Sequence, residues 1–195
     1  MRAQVSRSGQ GQLNLLQRVG LAVIALALSG AAGLASARIT EEFHHTYPLS
    51  AHGRVDLENV NGNVRIEVWD RSEVKVDALK FAPDGDRLAD MTIEVDSSAE
   101  SIHIKTEYRH HLFNNNAGGV EYTLKVPGQA RLDKVDLVNG ALEVEGVTGG
   151  VKASLVNGNV KAQGLRGGLE ISTVNGRVEV TVAEPKPSQR IDLSS

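Results

Sequence analysis

The sequence of 195 residues contains no cysteine. Disulfides are therefore excluded, and so is a lipid-modified cysteine after an export signal. Stability must come from packing and hydrogen-bond ladders alone. Aromatic residues make up only 4% of the chain, so stacking platforms for bases or sugar rings are scarce. A basic surface is also missing. Beyond residue 37 the chain carries 18 basic against 24 acidic side chains, a balance of -6. That balance argues against a nucleic-acid partner, which needs positive charge along its phosphates. No apolar run reaches the ~20 residues that a membrane-spanning helix requires. Neither a phosphate-cradling glycine loop nor a Ser/His/Asp order is present, and no catalytic pattern emerges.

What the chain does have is glycine, 20 residues of it, placed with a period. From Val138 to Val182 the sequence divides into nine-residue units: VNGALEVEG, VTGGVKASL, VNGNVKAQG, LRGGLEIST and VNGRVEVTV. The third position is Gly140, Gly149, Gly158, Gly167 and Gly176. The first position is always aliphatic (Val138, Val147, Val156, Leu165, Val174), and so is the fifth (Leu142, Val151, Val160, Leu169, Val178). Alternation through positions five to eight is the mark of a strand with one buried face. Glycine at the third position would break each strand, most simply by adopting a positive φ at a corner. Short strands of this kind cannot bury a face alone. Stacked copies can, because neighbouring units then share one continuous core.

A coarser period lies beneath. Val-Asn-Gly recurs at 138, 156 and 174, so two unlike strands alternate and one coil spans 18 residues. Stacking such coils in parallel places Asn139, Asn157 and Asn175 in a column, which Asn61 of an earlier VNG would join. Gly62 and the later glycines at the third position would occupy the corners. Glu143, Lys161 and Glu179 would alternate in sign along one face, with Lys152 beside Glu170 on the other, and like charges would not meet. The expected fold is an all-β parallel solenoid of two-strand coils. Its hand is expected to be right, because right-handed crossovers dominate parallel sheets.

Along the chain, residues 1–37 read as an export signal. A basic segment ends at Arg18, an apolar core runs from Val19 to Leu28, and Ala35-Ser36-Ala37 fits a small-x-small cleavage site. The protein is then expected in the periplasm, at the cell surface or outside the cell, with no membrane span retained. Residues 38–195 form one domain, with repeats at 51–79 and 126–195 and an irregular antiparallel insertion at 80–125. Residues 39–50 suit an edge strand ended by Pro48. The extra residue in WDRSEVKVD suggests a bulge or widened corner. Ser97 to Glu100 suits a tight hairpin connection. The last nine residues match the template at Ile191 and Leu193, as a coil stopped within a repeat would.

Three stretches, NVNGNVRIEVWDRSEVKVD (59–77), VEYTLKVPGQARLDKVDLVNGALEVEGVTGGVKASLVNGNV (120–160) and ISTVNGRVEV (171–180), resemble the bacterial putative-adhesin family. The resemblance covers nearly half of residues 38–195. It implies an exported β-solenoid at the cell envelope and brings no catalytic residues, cofactor or metal.

Candidate sites are few. Asn61, Asn139, Asn157 and Asn175 either bind a ligand or, by ordinary turn chemistry, shape corners and bond one another. The pairs His44-His45 and His110-His111, with Glu41 or Glu42, could offer metal ligands. Adjacent strand residues point to opposite faces, however, and no ligand spacing is present. Outward acids such as Glu143, Glu170 and Glu179 alternate with lysine as a solvated ladder does, unlike the convergent carboxylates of a glycan-cleaving enzyme. Trp69 and Tyr122 are expected at a buried junction. Residues 109–119 form a polar loop suited to recognition. Three functions follow: a non-catalytic envelope module that binds a surface protein or glycan, a carbohydrate-active enzyme, or an assembly module that pairs end to end.

Overall fold

The computed structural model describes residues 38–109, 118–183 and 190–194. The export-signal reading at 1–37, the pair His110-His111 and most of the loop at 109–119 lie outside the described residues. The described chain is all-β with one short helix. In order the elements are β1 (Ile39–Pro48), β2 (Arg54–Asn61), β3 (Val64–Trp69), β4 (Glu73–Ala82), α1 (Gly85–Ala89), β5 (Met91–Ser97), β6 (Ser101–Tyr108) and β7 (Gly119–Pro127). These are followed by β8 (Arg131–Asn139), β9 (Leu142–Glu145), β10 (Val151–Asn157), β11 (Val160–Leu165), β12 (Leu169–Asn175), β13 (Val178–Val182) and β14 (Ile191–Ser194).

The strands form two seven-stranded sheets. Sheet A has the order β1-β4-β7-β3-β9-β11-β13, and sheet B the order β14-β12-β10-β8-β2-β6-β5. From β7 onward the chain alternates between the sheets, one strand in each. Val151 stands opposite Leu169, and Val160 opposite Leu142 and Val178, each displaced by 18 residues in sequence. The fifth and seventh positions of the units fill the space between the sheets: Leu142, Val144, Val151, Ala153, Val160, Ala162, Leu169 and Ile171 are all buried.

Both sheets are mixed, which departs from the expected parallel array. β4 runs antiparallel to both β1 and β7, and β5 runs antiparallel to β6. The WDRS segment is accordingly a reversal of the chain, where a bulge or widened corner was expected. Asp70 to Ser72 turn β4 back into the sheet that holds β3. The half-buried Trp69 braces this turn, its indole Nε1 donating to the Glu73 carbonyl at 2.7 Å while Arg71 lies over the ring. It does not sit in the core as expected, because the indole N–H takes its partner at the turn.

The stretch 80–125 is only partly antiparallel. β6 pairs in parallel with β2, and β7 in parallel with β3. The coil made by β2 and β3 therefore sits between the β6/β7 coil and the β8/β9 coil. A buried polar cluster ties these layers together. Thr106 donates to Asn59 Oδ1 at 3.0 Å, and Asn59 Nδ2 donates to the Val120 carbonyl at 2.8 Å. A hydroxyl has one proton, so at the 2.8 Å contact Tyr122 must donate to Thr106 Oγ1. Burial raises the Tyr122 hydroxyl and pushes Tyr108 up to about 12, so both stay neutral at physiological pH.

Candidate functional site

At the corners, the main chain bonds rung to rung. Gly62 N–H donates to the Asn139 carbonyl, Gly140 to Asn157 and Gly158 to Asn175, at 3.0, 3.1 and 3.0 Å. Backbones held this close leave no room for a side chain. A β-carbon on Gly140, Gly158 or Gly176 would lie 2.1, 1.9 and 1.9 Å from the carbonyl oxygen of Gly62, Gly140 and Gly158 respectively. This corrects the expected reason for the corner glycines. Gly62 and Gly140 have positive φ, at 124° and 154°. Gly149, Gly158, Gly167 and Gly176 lie outside the left-handed region, and close approach is what demands glycine there.

Beside the glycines stand Asn61, Asn139, Asn157 and Asn175. Each amide nitrogen after the first donates to the preceding amide oxygen, at 2.9 Å in all three links. The ladder uses one donor and one acceptor of each interior amide internally, as stacked turn residues do.

The charged sixth positions also stack. Arg65, Glu143, Lys161 and Glu179 are neighbours across sheet A. Arg65 meets Glu143 at 2.7 Å, and on sheet B Lys152 meets Glu170 at 2.9 Å. His44 bonds Asp77 at 2.7 Å and Glu42 at 3.2 Å, which separates it from His45. His45 instead lies between Phe43 and Tyr47, 4.7 and 6.0 Å from their rings. Among the described residues no group of three or more metal-ligating side chains could hold a metal ion.

The feature that sequence reasoning missed lies at the first position of the units. Val147 and Leu165 are buried, whereas Val60, Val138, Val156 and Val174 are exposed by 37–70%. These four belong to β2, β8, β10 and β12, which are adjacent in sheet B, and they form an apolar stripe across the strands. At ~4.8 Å per strand the stripe spans ~14 Å. It runs along a shallow groove of about 490 Å³, together with Ser154, Ser172, Asp136, Glu58 and Lys105. The signal was available in the sequence: the exposed valines are those that precede Asn-Gly.

A second, more polar groove of about 770 Å³ crosses the outer face of β8, β10, β12 and β14. Its acids are paired, Asp133 with Arg131 at 3.0 Å, Glu170 with Lys152 and Asp192 with Arg190 at 2.7 Å. Farther along sheet B, Glu58 is held below the usual carboxylate range by its hydrogen bond from Lys134. Asp56 behaves oppositely. Burial raises its carboxyl, despite nearby His103, and its Oδ1 has no hydrogen-bond partner.

No family model matches the chain, and no curated protein matches it. Among solved structures it is similar to a putative cell adhesion protein from Clostridium sporogenes, at 8% identity and a TM-score of 0.43, over 74% of this chain and 100% of that one. It is also similar to a putative adhesin from Bacteroides fragilis, at 12% identity and a TM-score of 0.30, over 79% of this chain and 96% of that one. No helix among the described residues is long and apolar enough to cross a membrane.

Proposed function

We propose that this protein is an exported, non-catalytic envelope module of solenoid type that binds a surface macromolecule, protein or glycan, through the outer face of sheet B. The observation that carries this reading is the exposed column of Val60, Val138, Val156 and Val174 along its groove. Four aliphatic side chains held in register on solvent forgo part of the roughly 1.5–3 kcal/mol that full burial of each would contribute. A surface that keeps them exposed is suited to contact. Export rests on the basic, apolar and small-residue order of residues 1–37. The solenoid description rests on the displacement of 18 residues between paired strands from β8 to β13. A non-catalytic role is supported by the ion-paired acids of the polar groove.

The test is a binding screen of the full chain against glycans and cell-wall fragments, alongside a Val138→Asp/Val156→Asp double variant. Retention by the native chain and loss in the variant, with unchanged thermal stability, is the expected result. Failure of the native chain to bind any polysaccharide or peptidoglycan fragment would sink the glycan form of the reading.

One observation favours a second reading, the carbohydrate-active enzyme. The raised carboxyl of Asp56 has the protonation bias of a general acid. Release of reducing ends from a polysaccharide by the native chain, abolished in Asp56→Asn, would establish that reading in place of the first.

A further inference from the structure

Asn-Gly occurs four times in the chain, at 61–62, 139–140, 157–158 and 175–176. Asparagine followed by glycine is the pair most prone to spontaneous deamidation. The glycine nitrogen attacks the asparagine Cγ, because no side chain on the second residue stands in the way. The new N–Cγ bond closes a succinimide, the Cγ–Nδ2 bond breaks, and ammonia leaves with the proton of the glycine amide. Water then opens the ring to aspartate or to isoaspartate, in which the main chain runs through Cγ. Water is the only co-reactant.

In this fold both reacting groups are engaged. The nucleophiles are the amides of Gly62, Gly140 and Gly158. Each donates to the carbonyl of the asparagine one rung later, Asn139, Asn157 and Asn175, at 3.0, 3.1 and 3.0 Å. A donated N–H is withheld from base, as the slow hydrogen exchange of bonded amides shows. The leaving groups are held as well. Nδ2 of Asn139 donates to Oδ1 of Asn61, and Nδ2 of Asn157 to Oδ1 of Asn139, both at 2.9 Å. Attack requires the side-chain amide to leave the ladder. Asn139 and Asn157 are nevertheless exposed, so water is not limiting.

We propose that Asn61, Asn139 and Asn157 are latent deamidation sites that the stacked corners keep unreacted, and that isoaspartate formed at one corner unlocks the corner one rung earlier. The direction follows from the bonding. The cap on Gly140 is the main-chain carbonyl of Asn157. In isoaspartate at 157 that carbonyl becomes a free carboxylate outside the main chain. The main chain also gains one carbon, at a corner where a β-carbon on Gly158 would already lie 1.9 Å from the Gly140 carbonyl oxygen. Gly140 is then released to attack Asn139. Isoaspartate at 139 in turn releases Gly62 to attack Asn61. The modification therefore travels from later rungs to earlier ones.

The chain holds its own controls. Asn59, Asn63 and Asn159 are each followed by valine, whose branched side chain hinders ring closure.

The test incubates the full chain at mildly alkaline pH, folded and in concentrated urea. Intact molecules are then mapped by fragmentation mass spectrometry that separates isoaspartate from aspartate. In urea, Asn61, Asn139 and Asn157 are expected to react independently, while Asn59, Asn63 and Asn159 stay intact. In the folded chain the three Asn-Gly sites should react more slowly by about tenfold or more. Folded molecules with isoaspartate at 139 should carry it at 157 as well. Asn157→Gln keeps the capping carbonyl but closes its ring far more slowly, and should lower the yield at Asn139 in the folded chain. Equal rates in the two conditions would overturn the shielding. Isoaspartate at 139 as frequent in molecules intact at 157 as in modified ones would overturn the relay, as would an Asn157→Gln chain that modifies Asn139 undiminished.

Discussion

Gly158 and Gly176 stand one rung apart at the same corner, and a β-carbon on Gly176 would lie 1.9 Å from the Gly158 carbonyl oxygen. The contact is backbone against backbone, so no side-chain rotation relieves it. Gly176→Ala and Gly158→Ala are each expected to destabilise by about 2–3 kcal/mol, the range for forced backbone displacement. Gly85→Ala is the control. That residue opens α1, and a β-carbon there would meet no heavy atom within 4 Å. It should be neutral or stabilising by up to about 1 kcal/mol. Urea unfolding midpoints of the three variants decide the matter.

The asparagine ladder leads to a milder expectation. Asn157 both donates to Asn139 and accepts from Asn175. Its replacement by alanine breaks two links at an exposed corner, where water replaces the lost partners. A loss of about 1 kcal/mol is expected by chemical denaturation. Asn157→Asp keeps the acceptor and loses the donor, and should cost no more than the alanine variant.

The buried cluster of Asn59, Thr106 and Tyr122 should be less tolerant. Thr106→Val removes the donor to Asn59 Oδ1 and the acceptor of the Tyr122 hydroxyl, and leaves two buried polar atoms unmatched. A cost of about 2–4 kcal/mol is expected. Tyr122→Phe leaves the Thr106–Asn59 bond in place and should cost about 1 kcal/mol. Reversal of that order in thermal or urea unfolding would refute the bonding scheme.

Stability should respond to pH at the β1–β4 pair. Hydrogen bonds from His44 to Asp77, and then to Glu42, raise the imidazole above its ordinary 6.5. A raised folded-state value means that the contribution is complete below about 6.5 and is lost as pH rises through the folded value. Burial pushes the Asp77 carboxyl up, but its bonds to Lys75 and His44 outweigh that and hold it low. Its contribution is therefore present above the ordinary carboxylate range and is lost as pH falls through the depressed value. Titration of His44 by NMR should give a midpoint above 6.5, and His44→Gln should flatten the fall in melting temperature on the alkaline side. The effect is small, because His44 is solvent-exposed and screened.

Much of the interior was legible from the nine-residue register. Alternation marked Leu142, Val144, Val160 and Ile171 as inward, and they are buried. The same register could not rank the first position. Val147 follows β9 and Leu165 ends β11 after a register shift, and both turn into the core, while Val138 and Val156 lie near the ends of β8 and β10 on the solvent face. An aliphatic side chain has one chemistry and two fates there, decided by which corner the main chain takes. The corner glycines show a similar limit. Their recurrence was evident, but carbonyl-to-β-carbon clashes arise only between rungs that are distant in sequence.

By itself the sequence determined the length of the repeat, the strand faces and the residues of the core, because these depend on local alternation and on spacing along one chain. The tertiary structure decided the order of the rungs, with β2 between β6 and β8, and the reversal that makes β4 antiparallel. Those outcomes depend on which strand edges meet. Edge pairing is made by backbone groups common to all residues, so side-chain pattern alone does not specify it.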